Sequence, residues 1–204
     1  MEELIASTFF YMPRVKSFDE KEVLTKAMCL FWKQGYSATS VQDLVCHLGI
    51  NRASLYDTFG DKEQLFKKSF ELYRATTKEG LIEFFKNYPD VKEGFSKLFN
   101  KTIEEAILDE DKKGCFVVNA TTELIPNDES LQKVLIENKC DFQNLFYEYL
   151  KAGKERGQLK NSQDLKSIAT LLYTLYNGIR VVSKVNPDKK ELSNSINVAL
   201  SLLS

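Results

Sequence analysis

From Asp19 to Lys62 the chain repeats apolar residues at helical spacing and interrupts them with glycine three times, at Gly35, Gly49 and Gly60. Interruptions that frequent admit only short helices joined by tight turns. The first helix begins at Asp19, with Glu22 three residues on in a capping-box pattern. Leu24, Ala27, Met28 and Phe31 then recur at i, i+3, i+4 and i+7, and Gly35 suits a left-handed C-cap. Thr39 or Ser40 caps a second helix, in which Val41, Leu44, Val45 and Leu48 repeat the same stripe until Gly49. Asn51 caps a third, with Leu55 and Phe59 one turn apart. Gly60 and Asp61 end that helix and cap a fourth, running from Lys62 into the eighties with Leu65, Phe66, Phe70 and Tyr73 inward.

Helical periodicity continues beyond. Segments over roughly 91–108, a short stretch after Gly114, 129–156, 162–184 and 189–203 carry apolar residues at turn spacing, with Pro89, Pro126 and Gly157 as breaks. No strand pair is evident. The expected fold is all-α, with about nine helices. An N-terminal three-helix helix-turn-helix domain spans 17–65, and a C-terminal helical bundle spans 66–204. Residues 1–16 read as a flexible extension. Within it, residues 4–12 are apolar but too short to cross a bilayer, and Glu2 and Glu3 replace the basic flank of a secretory signal. Met12 is expected as the natural start, and Arg14 and Lys16 as part of a disordered tail.

Composition narrows the class of protein. With 28% charged and 43% hydrophobic residues and a formal net charge of −1, the chain reads as soluble and is no bulk polyanion binder. Residues 12–70 carry nine basic and seven acidic side chains, a bias that permits DNA binding. Cys29, Cys46, Cys115 and Cys140 form no C-x-x-C pair and read as reduced thiols of a cytoplasmic protein, those inside helices acting as small hydrophobes. The single histidine, His47, adjoins Cys46 on a helix, where neighbouring side chains diverge by about 100°. There is no Gly-rich phosphate loop, nucleophile elbow or metal-ligand spacing. Neither enzyme chemistry nor a metal or cofactor is expected.

Two short helices about a glycine turn fit a helix-turn-helix whose second member enters the major groove. Leu55 and Phe59 would anchor it. Its other face offers Arg52 for guanine edges or phosphate, Ala53 for close approach to a thymine methyl, Ser54 and Thr58 as hydroxyls, and Tyr56 for phosphate. Lys62, Thr39 and Ser40 lie at helix N-termini, where free N–H groups favour phosphate. Caps are an equally good reading for Thr39 and Asp61.

The residues Gly35, Thr39, Gly49-Ile50, Leu55-Tyr56, Phe59 and Lys62-Glu63, at their offsets within 35–45 and 48–63, resemble the signature of TetR-family transcriptional regulators. The resemblance implies phosphate contacts at Thr39, Tyr56 and Lys62 and groove contacts at Arg52, Ala53 and Ser54. It departs at Asp57, where many members carry a second aromatic. An acid there needs a cytosine N4 donor or a pair with Arg52. The resemblance also implies a repressor that binds a near-palindromic operator as a dimer and is released by a small-molecule inducer. The alternative is a helical protein–protein module of the same fold without specific DNA binding.

In the second half, residues 114–120 resemble a segment of one branch of the family. Aromatic walls for a ligand pocket are expected from Phe95, Phe99, Phe116, Phe142, Phe146, Tyr173 and Tyr176, with Asn119 and Glu123 as polar anchors. Cys115, at a helix entry beside Lys112 and Lys113, is a candidate sensor of oxidants or electrophiles. The last two segments are apolar on more than one face, with Tyr173, Tyr176, Val198 and Leu202 off the main stripes. That pattern suits a homodimer interface over about 162–203.

Overall fold

The computed structural model describes residues 18–125, 129–160, 162 and 164–203. The N-terminal extension, Met12, the basic pair at 14 and 16, and Pro126 lie outside the described residues. Among the described residues the secondary structure is entirely helical. The helices are α1 (Glu20–Gln34), α2 (Val41–Leu48), α3 (Arg52–Phe59), α4 (Lys62–Lys86), α5 (Val91–Leu108), α6 (Phe116–Leu124), α7 (Glu129–Glu155), α8 (Leu165–Val182) and α9 (Lys189–Leu200), closed by a 3-10 turn at Ser201–Leu203. None of them is long and apolar enough to cross a membrane.

Local chemistry sets most of these boundaries. Asp19 accepts the N–H groups of Lys21 and Glu22, Asn51 accepts that of Ser54 at 2.8 Å, and Asp61 accepts that of Gln64 at 2.8 Å. Of the two residues expected to cap α2, Ser40 does so, in a reciprocal box with Asp43. Gly49 follows α2 at φ +69°, a left-handed turn that a residue without Cβ adopts at little cost. That turn sets α3 across α2.

The helices bury two apolar clusters. The first holds Val23, Ala27, Leu30 and Phe31 of α1, Leu44 and Leu48 of α2, Leu55 and Phe59 of α3, and Leu65, Phe66 and Phe70 of α4. The buried stripe of α1 is thus rotated from the expected one. Leu24 and Met28 are only partly buried at its rim, because α4 and α2 approach on the Leu30 side. The cluster does not end with the three-helix unit: Phe116 and Ala120 of α6 and Leu131 and Leu135 of α7 complete it.

The second cluster gathers the end of α4, α5, the C-terminal half of α7, α8 and α9. Helix α7 packs along α8, and α5 along α9. Helices α4 and α7 contribute to both clusters, so a tilt of either is felt at both ends of the molecule. The three cysteines within helices, Cys29, Cys46 and Cys140, are exposed rather than buried hydrophobes, and Cys115 alone is buried.

Candidate nucleic-acid interface and sensing core

Helix α3 divides its residues cleanly. Leu55 and Phe59 are buried, Arg52, Ala53, Tyr56 and Asp57 are exposed, and Ser54 and Thr58 are partly exposed. Tyr56 is 43% exposed, unusual for an aromatic with a buried neighbour on the same short helix. Arg52 and Asp57 form no ion pair with each other or with any other described residue. The pairing that would have neutralised Asp57 is therefore absent from the free protein.

The residues flanking α3 behave differently from expectation. Thr39 is fully buried and its hydroxyl donates to the Gly35 carbonyl at 2.6 Å. It closes the turn after α1 and offers no surface for phosphate, a correction to its expected role. Ser40 is exposed, but its hydroxyl donates to Asp43 at 2.6 Å. Those bonds to Ser40 hold the Asp43 carboxyl below the usual carboxylate range. Lys62, at the N-terminus of α4, lays its ammonium over the Tyr36 ring, 4.3 Å from the centroid.

Tyr36 leads to a joint between the two halves. Glu123 of α6, expected as a ligand anchor, instead accepts the backbone N–H of Tyr36 at 3.0 Å and of Ser37 at 2.6 Å. A Cβ on Gly35 would lie 2.8 Å from the same carboxylate, and Gly35 holds φ +85°, so a side chain there meets both strain and a clash. Partial burial pushes the Glu123 carboxyl up. The Ser37 and Tyr36 N–H groups, aided by Lys62, outweigh this and hold it below the usual glutamate range. A depressed pKa means a contribution present above the unfolded-state value, about 4.3, and lost as pH falls through the folded one. At neutral pH the clamp is therefore charged. Replacing Glu123 by Ala is expected to speed amide hydrogen exchange at Tyr36 and Ser37 by roughly tenfold, read by NMR, while the amides of the α5 core keep their rates.

The remaining sensing candidates separate into packing and lining. Phe95, Phe99 and Phe146 are fully buried, Phe95 against Phe99, Phe146 and Phe85, with Phe95 and Phe146 centroids 5.1 Å apart. They are core and not pocket walls, because α5, α7 and α8 close over them. Phe116 belongs to the first cluster, edge-on to Phe66, Phe70 and Tyr73. Asn119 donates to the Lys113 carbonyl at 2.7 Å and accepts from Lys184 at 3.1 Å, so its amide holds the loop before α6. Phe142, Tyr173 and Tyr176 do line a narrow opening, and they share it with Cys115. Tyr176 is nonetheless nearly buried, on the core side of α8 and not at its outer face.

Cys115 is the N-cap residue of α6 and makes no side-chain cap. The Tyr73 hydroxyl donates to its Sγ at 3.7 Å. Burial, with Cys115 beside it, pushes the Tyr73 hydroxyl well above the ordinary tyrosine value. Of the two lysines expected to influence Cys115, Lys113 is otherwise engaged: it pairs with Asp109 at 3.6 Å and Asp111 at 3.7 Å. Two cations line this opening: Arg74, which pairs with Glu71 at 2.6 Å, and Arg180, whose guanidinium lies 3.6 Å from the Tyr176 ring centroid. Sequence reasoning missed Arg180, Tyr73, Arg74 and Asn138. Arg74 and Asn138 give no local sign of facing a shared space, Tyr73 is legible only as an inward residue of α4, and Arg180 only as a position one turn beyond Tyr176.

A glycine-turned pair of short helices with an exposed arginine–tyrosine face, set on a helical bundle, defines a helix-turn-helix regulator. The family model for bacterial regulatory proteins of the tetR family matches residues 23–68. A model described as tetracyclin repressor-like, C-terminal domain, matches residues 96–198. The chain belongs to the TetR family of transcriptional regulators, a family of DNA-binding proteins and not of enzymes. It is 32% identical to the HTH-type transcriptional regulator YezE of Bacillus subtilis, over 94% of this chain and 100% of that one. It is 27% identical to the HTH-type transcriptional repressor ComR of Escherichia coli, over 93% and 90%. Among solved structures, a cysteine-substituted CifR bound to a 26-base-pair operator superposes with a TM-score of 0.82 at 28% identity, covering 93% of this chain and 98% of that one.

Proposed function

We propose that this protein is a repressor that binds a near-palindromic operator as a homodimer and leaves it when an inducer occupies the helical domain. Residues 17–65 would read DNA, and 66–204 would sense and dimerise, in the cytoplasm. The observation that carries the reading is the outward face of α3. Arg52, Ala53, Ser54, Tyr56 and Thr58 form the base-reading and phosphate-binding set, with Lys62 and Ser40 at adjacent helix N-termini. The CifR relative, seen on operator DNA, supports the same use of this fold. The outer faces of α8 and α9 support the dimer: Leu171, Val181, Val182 and Val198 are exposed there, an apolar surface that a second copy would cover. Two recognition helices then span two half-sites.

The switch acts through α4 and through the Glu123 clamp, two of the links between sensing core and reading head. An inducer must favour the dimer state whose recognition helices are misspaced. The test is binding to DNA upstream of the protein's own gene at two salt concentrations. Specific binding that weakens with salt supports the repressor, and its absence on every operator leaves the protein–protein module. Inducer and operator must weaken each other by the same factor.

Within this scheme Cys115 is the proposed sensor of reactive electrophiles, buried beside Tyr73 and on the same opening as Arg180. Cys115→Ser is expected to keep operator affinity and to abolish release by an alkylating agent such as N-ethylmaleimide. Release that persists in Cys115→Ser, at the rate of the unmodified protein, eliminates this role.

A further inference from the structure

We propose that Arg180 is the anchor of a ligand site for a small organic carboxylate with an apolar body, held between α1, α4, α5 and α8. The proposal rests on reading the helical domain as a sensor, and it gives the inducer a chemical class. Three openings in the molecule converge on Arg180. The two larger ones have volumes of about 350 and 440 Å³. Both fall within the range of small-molecule sites, about 300–1,000 Å³.

The chemistry of the walls specifies the ligand. Met28, Trp32, Leu81, Phe84 and Leu98 provide an apolar, partly aromatic side. Charge is distributed unevenly around it. Lys101 pairs with Glu105 at 3.8 Å, and Lys113 pairs with Asp109 at 3.6 Å, so the acids on the walls already have lysine partners. Arg180 forms no ion pair with any described residue. Its guanidinium donates to the Tyr176 carbonyl one turn back, at 3.1 Å. Its position over the Tyr176 ring adds a cation–π attraction that restrains the group. A half-buried guanidinium with donors to spare and no counter-charge favours an anion, and its planar fork suits a carboxylate. Apolar walls favour a singly charged head over a strongly hydrated dianion.

Trp32 is the only tryptophan of the chain and lines both larger openings, so its fluorescence reports occupancy without DNA. The probes are hexanoate, octanoate and 4-phenylbutanoate, each against its neutral amide, followed by Trp32 fluorescence and calorimetry on the full-length protein. At least one acid is expected to bind about tenfold or more tightly than its amide. Arg180→Gln is expected to remove that preference while leaving amide binding unchanged, and Arg180→Lys to retain part of it. Thermal melts establish that each variant is folded. Should Arg180→Gln not fold, the acid–amide comparison in the unaltered protein and the Arg180→Lys variant decide. Equal binding of acid and amide, an undiminished preference in Arg180→Gln, or no binding by any of the three acids overturns the site. Acid binding through Arg180 that leaves operator affinity unchanged supports the site and counts against the inducer reading.

Discussion

Phe116→Ala is expected to lower the stability of the protein by about 3–5 kcal/mol, measured by urea denaturation. Its ring is 2% exposed and meets three others edge-on: Phe66 at 5.6 Å, Phe70 at 5.4 Å and Tyr73 at 5.6 Å. Alanine removes the ring and leaves a hole that α4 cannot collapse into, because Phe70 stacks on Phe66 behind it. A loss under about 1 kcal/mol would mean that the site relaxes and that Phe116 is not a keystone of the first cluster. The position gives the effect a functional side as well. Phe116 opens α6, the helix that also carries the Glu123 clamp, so the same residue wedges the sensing half into the core of the reading head. Phe116→Leu keeps most of the volume and is expected to cost far less, and the contrast between the two separates the cavity from any loss of local helix.

Arg52→Ala carries the second large effect, on operator affinity. A guanidinium at the N-terminus of the recognition helix that bonds a base edge is worth about 1–3 kcal/mol, or roughly tenfold to a hundredfold in affinity. The loss is expected to fall mostly on the native operator, flattening preference at one base pair of each half-site. Lys62→Ala is the matched comparison. As a phosphate contact it is expected to weaken all sequences alike and to reduce the slope of binding against salt by about one. Fluorescence anisotropy on the operator and on base-substituted versions distinguishes the two. If Arg52→Ala weakens every sequence equally, Arg52 is a phosphate ligand and base readout lies with Ala53, Ser54 or Asp57.

Much of the reading head is legible in the sequence alone. Asn51, Asp61 and Ser40 cap where short polar side chains precede a helix, and Gly49 turns where a positive φ is needed. These signals act over three or four residues, so sequence displays them directly. The apolar spacing of α3 likewise fixed which side chains face out, since burying Leu55 and Phe59 turns Arg52 and Tyr56 to solvent. Thr39 is ambiguous in the sequence because its hydroxyl has two uses at the same position. A phosphate and the Gly35 carbonyl make equal chemical sense until the depth of the side chain is known.

The sensing half was less legible for a physical reason. A buried phenylalanine at turn spacing looks the same whether its helix neighbour leaves a gap or fills it. Phe95, Phe99 and Phe146 fill, whereas Phe142 and Tyr173 border an opening. Glu123 clamps a backbone 87 residues earlier in the chain, and Arg180 shares an opening with Cys115. No local rule covers such separations.

The glycine-punctuated helices between Asp19 and Lys62 are determined by the chain itself, because caps, turns and amphipathic spacing are short-range and mutually consistent. Which helix carries which core, that α6 enters the N-terminal cluster and Glu123 fastens it there, and that Arg180 forms no ion pair with any described residue were decided only by tertiary packing. That packing depends on the shapes of surfaces brought together from distant parts of the chain, and turn spacing records only that a face is apolar, not what will meet it.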